Sequence, residues 1–283
     1  MWDRRGFLRG LVGLALAAIP RRARAARSER LTARWLHERT RNTRLGALGA
    51  RLAVADGGEP RKPYPGLPRI ALARAPWRET PALGALLRGA SGARAPDFPE
   101  LGRILHLANG VTGVSPNGTK LRAAPSAGAL YAAEIYVAAS AVEGLAAGLY
   151  SYDVLGDTLV RLAEGAPGAA RLAALACGAG PIEDATAHVF VANVFRRYTG
   201  RYANRGYRYA LIDTGHVAEN LELAALAAGV GVRRIPLFED DAVHRWLDLD
   251  GEEEAVCAVA AIGPPRAAGS APPRAWAEAQ AVR

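Results

Sequence analysis

The feature that most limits the possible folds of this chain is a pair of apolar runs separated by a long helical pattern. Residues 187–194 (AHVFVANV) and 255–262 (AVCAVAAI) lack the regular polar alternation of a half-exposed strand, so they predict strands buried on both faces. Between them, residues 207–228 carry apolar side chains on more than one stripe, which predicts a central or interface helix. The chain is therefore expected to build a covered sheet around one long helix.

The remaining patterns add shorter elements around this frame. Three further strands are predicted, at residues 133–139, 148–152 and 158–162. Three further helices are predicted, at residues 33–41, 99–110 and 240–247. Asn117-Gly118 is typical of a turn. Because strands and helices interleave without a regular βαβ period, we expect an α+β fold with helices packed around one mixed or antiparallel sheet.

The first 25 residues have the three parts of an export signal. Arg4, Arg5 and Phe7-Leu8 are followed by a short apolar run and then by Ala23-Arg24-Ala25. An apolar run of about ten residues is too short to span a bilayer. The paired arginines predict a twin-arginine signal, export of a folded protein through that machinery, and a soluble periplasmic or extracellular product. An amphipathic or membrane-anchoring terminus is the alternative.

Composition narrows the partner classes and the domain organisation. The formal net charge is +9, but the predicted signal alone has a net charge of +5. The rest of the chain is therefore only mildly positive, which argues against a nucleic-acid partner. The two cysteines stand far apart and indicate neither a zinc site nor a disulfide framework, and no metal site is predicted. We expect an irregular arm over residues 26–75, one compact domain over 76–263 and a mobile tail over 264–283.

The segment Arg122-Ala-Ala-Pro125-Ser126-Ala127-Gly128 is the most informative for chemistry. Proline followed by Ser-Ala-Gly at a helix start leaves backbone N–H groups and a hydroxyl exposed, with no bulky side chain above them. A flat aromatic ligand fits such a surface. A capped helix after a loop, without a ligand, is the structural alternative.

Several blocks in order resemble the SagB-type dehydrogenase branch of the nitroreductase family. They are the run RAAPSAGALYAAEIY (122–136), GLYSYD (148–153), RGYRYALIDTGHVAENL (205–221) and a closing stretch over 238–263. The resemblance covers residues 80–263 and implies the nitroreductase-like fold, FMN as cofactor, and a homodimer with the long helix at its interface. It also implies flavin sites between the subunits.

Carried over by position, Arg122, Pro125, Ser126, Ala127 and Gly128 would meet the isoalloxazine ring. Arg122 would supply positive charge where the flavin becomes anionic on reduction. The family's phosphate motif is only suggested here by Arg88, Ser91 and Arg94, whose spacing departs by one residue. These three remain phosphate candidates because phosphate prefers arginine and hydroxyl partners. Arg233 and Arg234 suit either a further phosphate site or a solvated charge pair.

In azoline-oxidising members of this branch, a Lys-Tyr pair is linked to removal of a substrate proton. This chain has Arg201-Tyr202 at the corresponding place. Arginine keeps its proton, so it cannot act as a general base. Tyr202 can still do so, with Arg201 stabilising its anionic form. The departure argues against peptide-azoline oxidation but not against flavin chemistry.

Together these features predict an exported FMN enzyme that passes two electrons through flavin N5 between small substrates. One alternative is a nitro- or quinone-reductase that uses reduced nicotinamide, which export disfavours. Another is a non-catalytic binding or assembly partner that kept the fold and lost the flavin. Asp213, His216 and Glu219 could bind a metal, and a helix-packing or dimer role is the favoured alternative.

Overall fold

The computed structural model describes residues 33–41, 62–73, 94–168, 171–172, 175 and 185–264. The predicted signal peptide (1–25) and most of the predicted tail lie outside these residues, as do Arg88 and Ser91. In the described part, no helix is both long and apolar enough to cross a membrane.

Helices and strands of the described chain alternate irregularly. The helices are α1 (Ala33–Thr40), α2 (Phe98–Asn109), α3 (Phe195–Tyr202), α4 (Arg205–Ala227) and α5 (Asp240–Leu247). The strands are β1 (Arg69–Ala71), β2 (Val111–Val114), β3 (Lys120–Arg122), β4 (Ala133–Ala139), β5 (Gly148–Asp153), β6 (Thr158–Glu164), β7 (Ala187–Val194), β8 (Val232–Arg234) and β9 (Glu254–Ile262).

Seven strands form one sheet in the order β1-β6-β5-β4-β7-β9-β8, and all of its pairings are antiparallel. Strands β4 and β7 are buried along their whole length because they lie at the centre of this sheet and both of its faces are covered. On one face, α2 and α4 contribute Ile104, Leu105 and Leu221 to the core. On the other face, α5 contributes Val243 and Leu247. The predicted α+β fold around an antiparallel sheet is confirmed.

Helix α2 has clear start and stop signals in the sequence. Asp97 caps its start, because its side chain accepts from the Glu100 backbone N–H while Glu100 returns a bond to the Asp97 N–H. The helix ends where Gly110 adopts extended backbone, as the predicted range 99–110 requires. The predicted helices at 33–41, 207–228 and 240–247 are also found, within two residues at each end.

Two local predictions need correction, and one hairpin was not predicted. Residues 26–75 are not irregular throughout, because Arg69–Ala71 adds strand β1 to the edge of the sheet beside β6. The turn at Asn117-Gly118 joins a two-stranded hairpin, β2–β3, which the sequence did not indicate. The helix start expected at Pro125–Gly128 is only a single 3₁₀ turn at Ala127–Ala129. A longer helix cannot form there because Gly128, Ala129 and Tyr131 all have left-handed backbone, with φ of 65°, 55° and 47°.

Candidate functional site

The structure brings together two predicted groups that are about 75 residues apart in the sequence. The loop at Ser126–Gly128 lies against the end of helix α3, where Tyr202 is found. A Cβ atom added to Gly128 would overlap the Tyr202 hydroxyl and would lie 3.7 Å from the Arg201 Nε. Only glycine permits this approach, and the Tyr202 hydroxyl consequently sits directly on the backbone of the loop.

Buried hydrogen bonds hold this loop from behind. The Ser126 Oγ lies 2.9 Å from the Tyr198 hydroxyl and accepts a bond from the Tyr131 N–H, also at 2.9 Å. Tyr198 in turn donates to the Asp213 carboxylate of α4, which also accepts from the Ala127 N–H at 3.2 Å. Burial and then the bond to Asp213 raise the pKa of the Tyr198 hydroxyl.

These bonds correct one expectation about the loop. The N–H groups of the Ser-Ala-Gly segment were expected to be exposed to a ligand, but the Ala127 N–H is used inside the protein, as is that of nearby Tyr131. The surface that remains is formed by the exposed Pro125 and Gly128 and the half-buried Ser126. It is small and uncharged, as a flat ring requires.

Tyr202 is fixed by aromatic neighbours. Its ring meets the Tyr209 ring edge-on, with the two centroids 4.9 Å apart. The Arg201 guanidinium lies 6.0 Å from the Tyr202 ring centroid. Arg201 is exposed and Tyr202 half-buried, so the pair borders both the loop and solvent.

Arg122, the predicted source of positive charge, is buried beside a second arginine. Burial, together with the charge of nearby Arg197, lowers the pKa of Arg122, while Glu134 acts in the opposite direction. Arg197 Nη1 lies 2.7 Å from Glu134 Oε1. Burial raises the pKa of Glu134 despite both arginines. Two buried cations therefore share one carboxylate.

A second polar cluster lies next to the first. Lys62 Nζ lies 2.7 Å from Glu254 Oε2 and donates to the Tyr136 hydroxyl at 2.8 Å, and that hydroxyl also donates to Glu254 at 2.8 Å. A narrow cavity is lined by Lys62 of this cluster and by Arg122 and Glu134 of the first. Glu254 balances the charge of Lys62, and Glu134 balances one of the two arginines. Among the described residues, the two clusters together therefore keep one surplus positive charge.

The predicted phosphate residues are only partly described. Arg94 lies beside the turn before β8, where its carbonyl accepts from the Gly231 N–H at 2.9 Å. Its guanidinium holds Glu100 through two bonds of 2.6 Å, so a phosphate there would have to compete with a carboxylate. Arg234 is likewise paired with Glu219 and Glu222, and Arg233 lies half-buried on the edge strand β8. Arg88 and Ser91 are outside the described residues.

Sequence reasoning missed Tyr198, Arg197, Glu134 and Lys62 and gave Asp213 a different role. Asp213 was considered as a possible metal ligand with His216, but its carboxylate is engaged by Tyr198 and Ala127. The His216 Nδ1 lies 2.9 Å from the Ile212 carbonyl of its own helix. Charged residues at buried positions of strands, such as Glu134 in AEIYVAA, are the one sequence signal that indicates such a cluster.

These residues fit an FMN. The loop presents glycine and proline rather than bulky side chains, and the Tyr202 hydroxyl lies against Gly128 where a Cβ would otherwise stand. The surplus buried charge of Arg122 suits a ring edge that becomes anionic on reduction. Residues Arg122 and Pro125–Gly128 would hold the ring.

Comparison with known proteins gives consistent matches over this part of the chain. Residues 92–263 match the model of the nitroreductase family. A provisionally assigned nitroreductase of Methanocaldococcus jannaschii is 34% identical over 150 residues, which cover 53% of this chain and 73% of that protein.

Solved structures show the same fold. A provisionally assigned nitroreductase from Anabaena variabilis has a TM-score of 0.64 and 29% identity, over 81% of this chain. The match covers only 45% of the Anabaena chain, so this chain spans less than half the length of that protein. A chain of the Escherichia coli microcin synthetase McbBCD complex has a TM-score of 0.53 and 19% identity, over 84% of this chain and 99% of the other.

Proposed function

This chain belongs to the nitroreductase family, and from that premise we propose that it is an FMN-dependent dehydrogenase of the SagB-type branch. Membership of the family implies FMN-dependent oxidoreductase activity. The observation that carries the finer proposal is the contact between the Tyr202 hydroxyl and the Gly128 backbone, in the loop that follows Arg122 of β3. A proton acceptor thus lies where a ring on the loop would meet its substrate.

The residues have separate roles in this proposal. FMN, when bound, supplies an acceptor for the hydride that leaves the substrate. Tyr202 takes the proton that leaves with it, because its hydroxyl borders both the loop and solvent. Arg201, whose guanidinium lies 6.0 Å from the Tyr202 ring centroid, places a positive charge beside that side chain. Arg122 supplies buried positive charge that favours the reduced, anionic form of the flavin.

A nitro- or quinone-reductase is the second candidate. It is favoured by the 34% identity to the archaeal protein assigned as a nitroreductase. That reaction takes electrons from reduced nicotinamide and does not require Tyr202 to remove a carbon-bound proton. The two candidates therefore differ in their dependence on Tyr202.

Two further parts of the proposal concern assembly and location. Helix α4 exposes Leu211 and Ile212, 42% and 53% accessible, and such an apolar face suits the homodimer that is usual for this fold. Leu211 also lines an apolar cavity of about 290 Å³ together with Pro236 and Phe238. The paired arginines near the start of the sequence support export by the twin-arginine route.

Replacing Tyr202 by Phe tests the proposal. The Tyr202→Phe variant should retain FMN and lose substrate dehydrogenation by roughly 100-fold or more, because it keeps the ring but lacks the proton acceptor. Reduction of bound flavin by candidate donors, followed anaerobically by absorbance, measures the change. Tyr209→Phe is the matched control, since Tyr209 is the other ring of the same pair.

Equal rates in Tyr202→Phe and in the unchanged chain would contradict the dehydrogenase proposal. If flavin reduction by NADPH is fast and independent of Tyr202, the reductase is the better description.

A further inference from the structure

A one-way chain of hydrogen bonds runs from helix α4 to the candidate flavin loop. A carboxylate only accepts hydrogen bonds, so the Tyr198 hydroxyl must donate its proton to Asp213. The Tyr198 oxygen can then only accept from the Ser126 hydroxyl, 2.9 Å away. The direction of each bond is therefore fixed by the charge on Asp213.

The consequence appears at Ser126. Its single proton is directed inward to Tyr198, and one of its lone pairs accepts the Tyr131 N–H. One lone pair remains, so toward a ligand Ser126 is an acceptor and not a donor. The same Asp213 oxygen, Oδ2, accepts both Tyr198 and the Ala127 N–H, and thus holds the loop at two points.

We infer that Asp213 is a positioning residue for the flavin loop: it fixes the backbone at Ala127 and, through Tyr198, makes Ser126 an acceptor for an N–H group of the bound ligand. The identity of that ligand as FMN rests on the proposed function. Burial supports the inference, because Asp213 is 6% exposed and Tyr198 is fully buried, so water does not replace either partner.

Backbone exchange tests the anchoring without any flavin. In the full chain, hydrogen–deuterium exchange of the 123–131 segment should rise about tenfold or more in Asp213→Ala, which removes the acceptor of the Ala127 N–H. Asp213→Asn should give an intermediate rise, because an amide oxygen still accepts both bonds but without charge. Tyr198→Phe should leave the Ala127 amide protected. Asp241→Asn, at an exposed carboxylate, is the control.

The potential of bound FMN tests the electrostatic part. Asp213→Asn removes a negative charge behind the loop, so the reduced flavin should be favoured by about tenfold, a shift of about +30 mV for two electrons. In their effect on FMN affinity, Tyr198→Phe and Asp213→Asn should not be additive, because they interrupt the same chain of hydrogen bonds. Circular dichroism confirms that each variant is folded, and the isosteric Asp213→Asn remains informative if Asp213→Ala is not.

Unchanged exchange in both Asp213 variants, or the same rise in Asp241→Asn, would overturn the inference. Additive losses of FMN affinity would show that Asp213 does not act through Tyr198. If the unchanged chain binds no FMN, the proposed function fails, while the exchange measurement still decides whether Asp213 positions the loop.

Discussion

At the scale of single residues, Gly128 carries two constraints at once. Its backbone is left-handed, with φ of 65°, and a Cβ there would overlap the Tyr202 hydroxyl. Gly128→Ala should weaken FMN binding by about tenfold or more and destabilise the fold by about 1–2 kcal/mol. Flavin fluorescence titration and urea unfolding measure the two effects.

Gly118 separates these constraints. It has a similar φ of 82° in the β2–β3 turn, but nothing lies within 4 Å of an added Cβ. Gly118→Ala should therefore show the backbone cost alone and leave FMN binding unchanged. Equal losses of FMN affinity in the two variants would mean that the contact with Tyr202 is not part of the site.

The charge balance around Arg122 gives a second prediction at this scale. Glu134→Gln leaves Arg122 and Arg197 buried without a counter-charge and should destabilise the protein by about 3–5 kcal/mol. Arg122→Gln leaves a matched pair and should change stability by less than about 1 kcal/mol, while FMN affinity falls. Urea unfolding of both variants tests this. Equal destabilisation would show that Arg122 does not carry a positive charge in excess of what Glu134 balances.

At the scale of elements, Lys62 links the segment before β1 to the sheet through Glu254 of β9 and Tyr136 of β4. Burial opposes its charge, but the contact with Glu254 outweighs burial and raises the pKa of Lys62. The resulting stability should be fully present below the unfolded-state pKa of about 10.4 and disappear as the pH rises through the higher folded-state value. Lys62→Met should lose roughly 1–3 kcal/mol at neutral pH.

The measurement is the stability difference between Lys62→Met and the unchanged chain, followed from pH 7 into the alkaline range. The difference should shrink as the pH rises, because the unchanged chain then loses the same interaction. A difference that is constant with pH would show that the Lys62 charge does not stabilise the fold.

The elements also show which parts of the fold the sequence could reveal. Strands β4 and β7 were predicted with their observed limits, because each is a run of seven or eight mostly apolar residues without regular polar alternation. Strands β1 and β8 were missed because three residues establish no period and both contain arginine at a sheet edge. Helix α3 was missed because its sequence, FRRYTGRY, is charged and contains glycine.

The same limit applies to the site. The loop at 125–128 was found because proline, serine and glycine have local meanings. Its supports were not, because Tyr198 and Asp213 follow Ser126 by more than 70 residues and meet it only when α3 and α4 pack against the sheet. Periodicity within one segment holds no information about such pairings.

At the scale of the whole molecule, the central claim is that this fold holds FMN on the Arg122–Gly128 loop. The visible absorption spectrum of the purified full chain, before and after denaturation, tests it most directly. Flavin bands in the folded protein, with FMN released on unfolding, are the predicted result. A correctly folded protein that is colourless and does not bind added FMN would contradict the claim and favour a binding or assembly role for the fold.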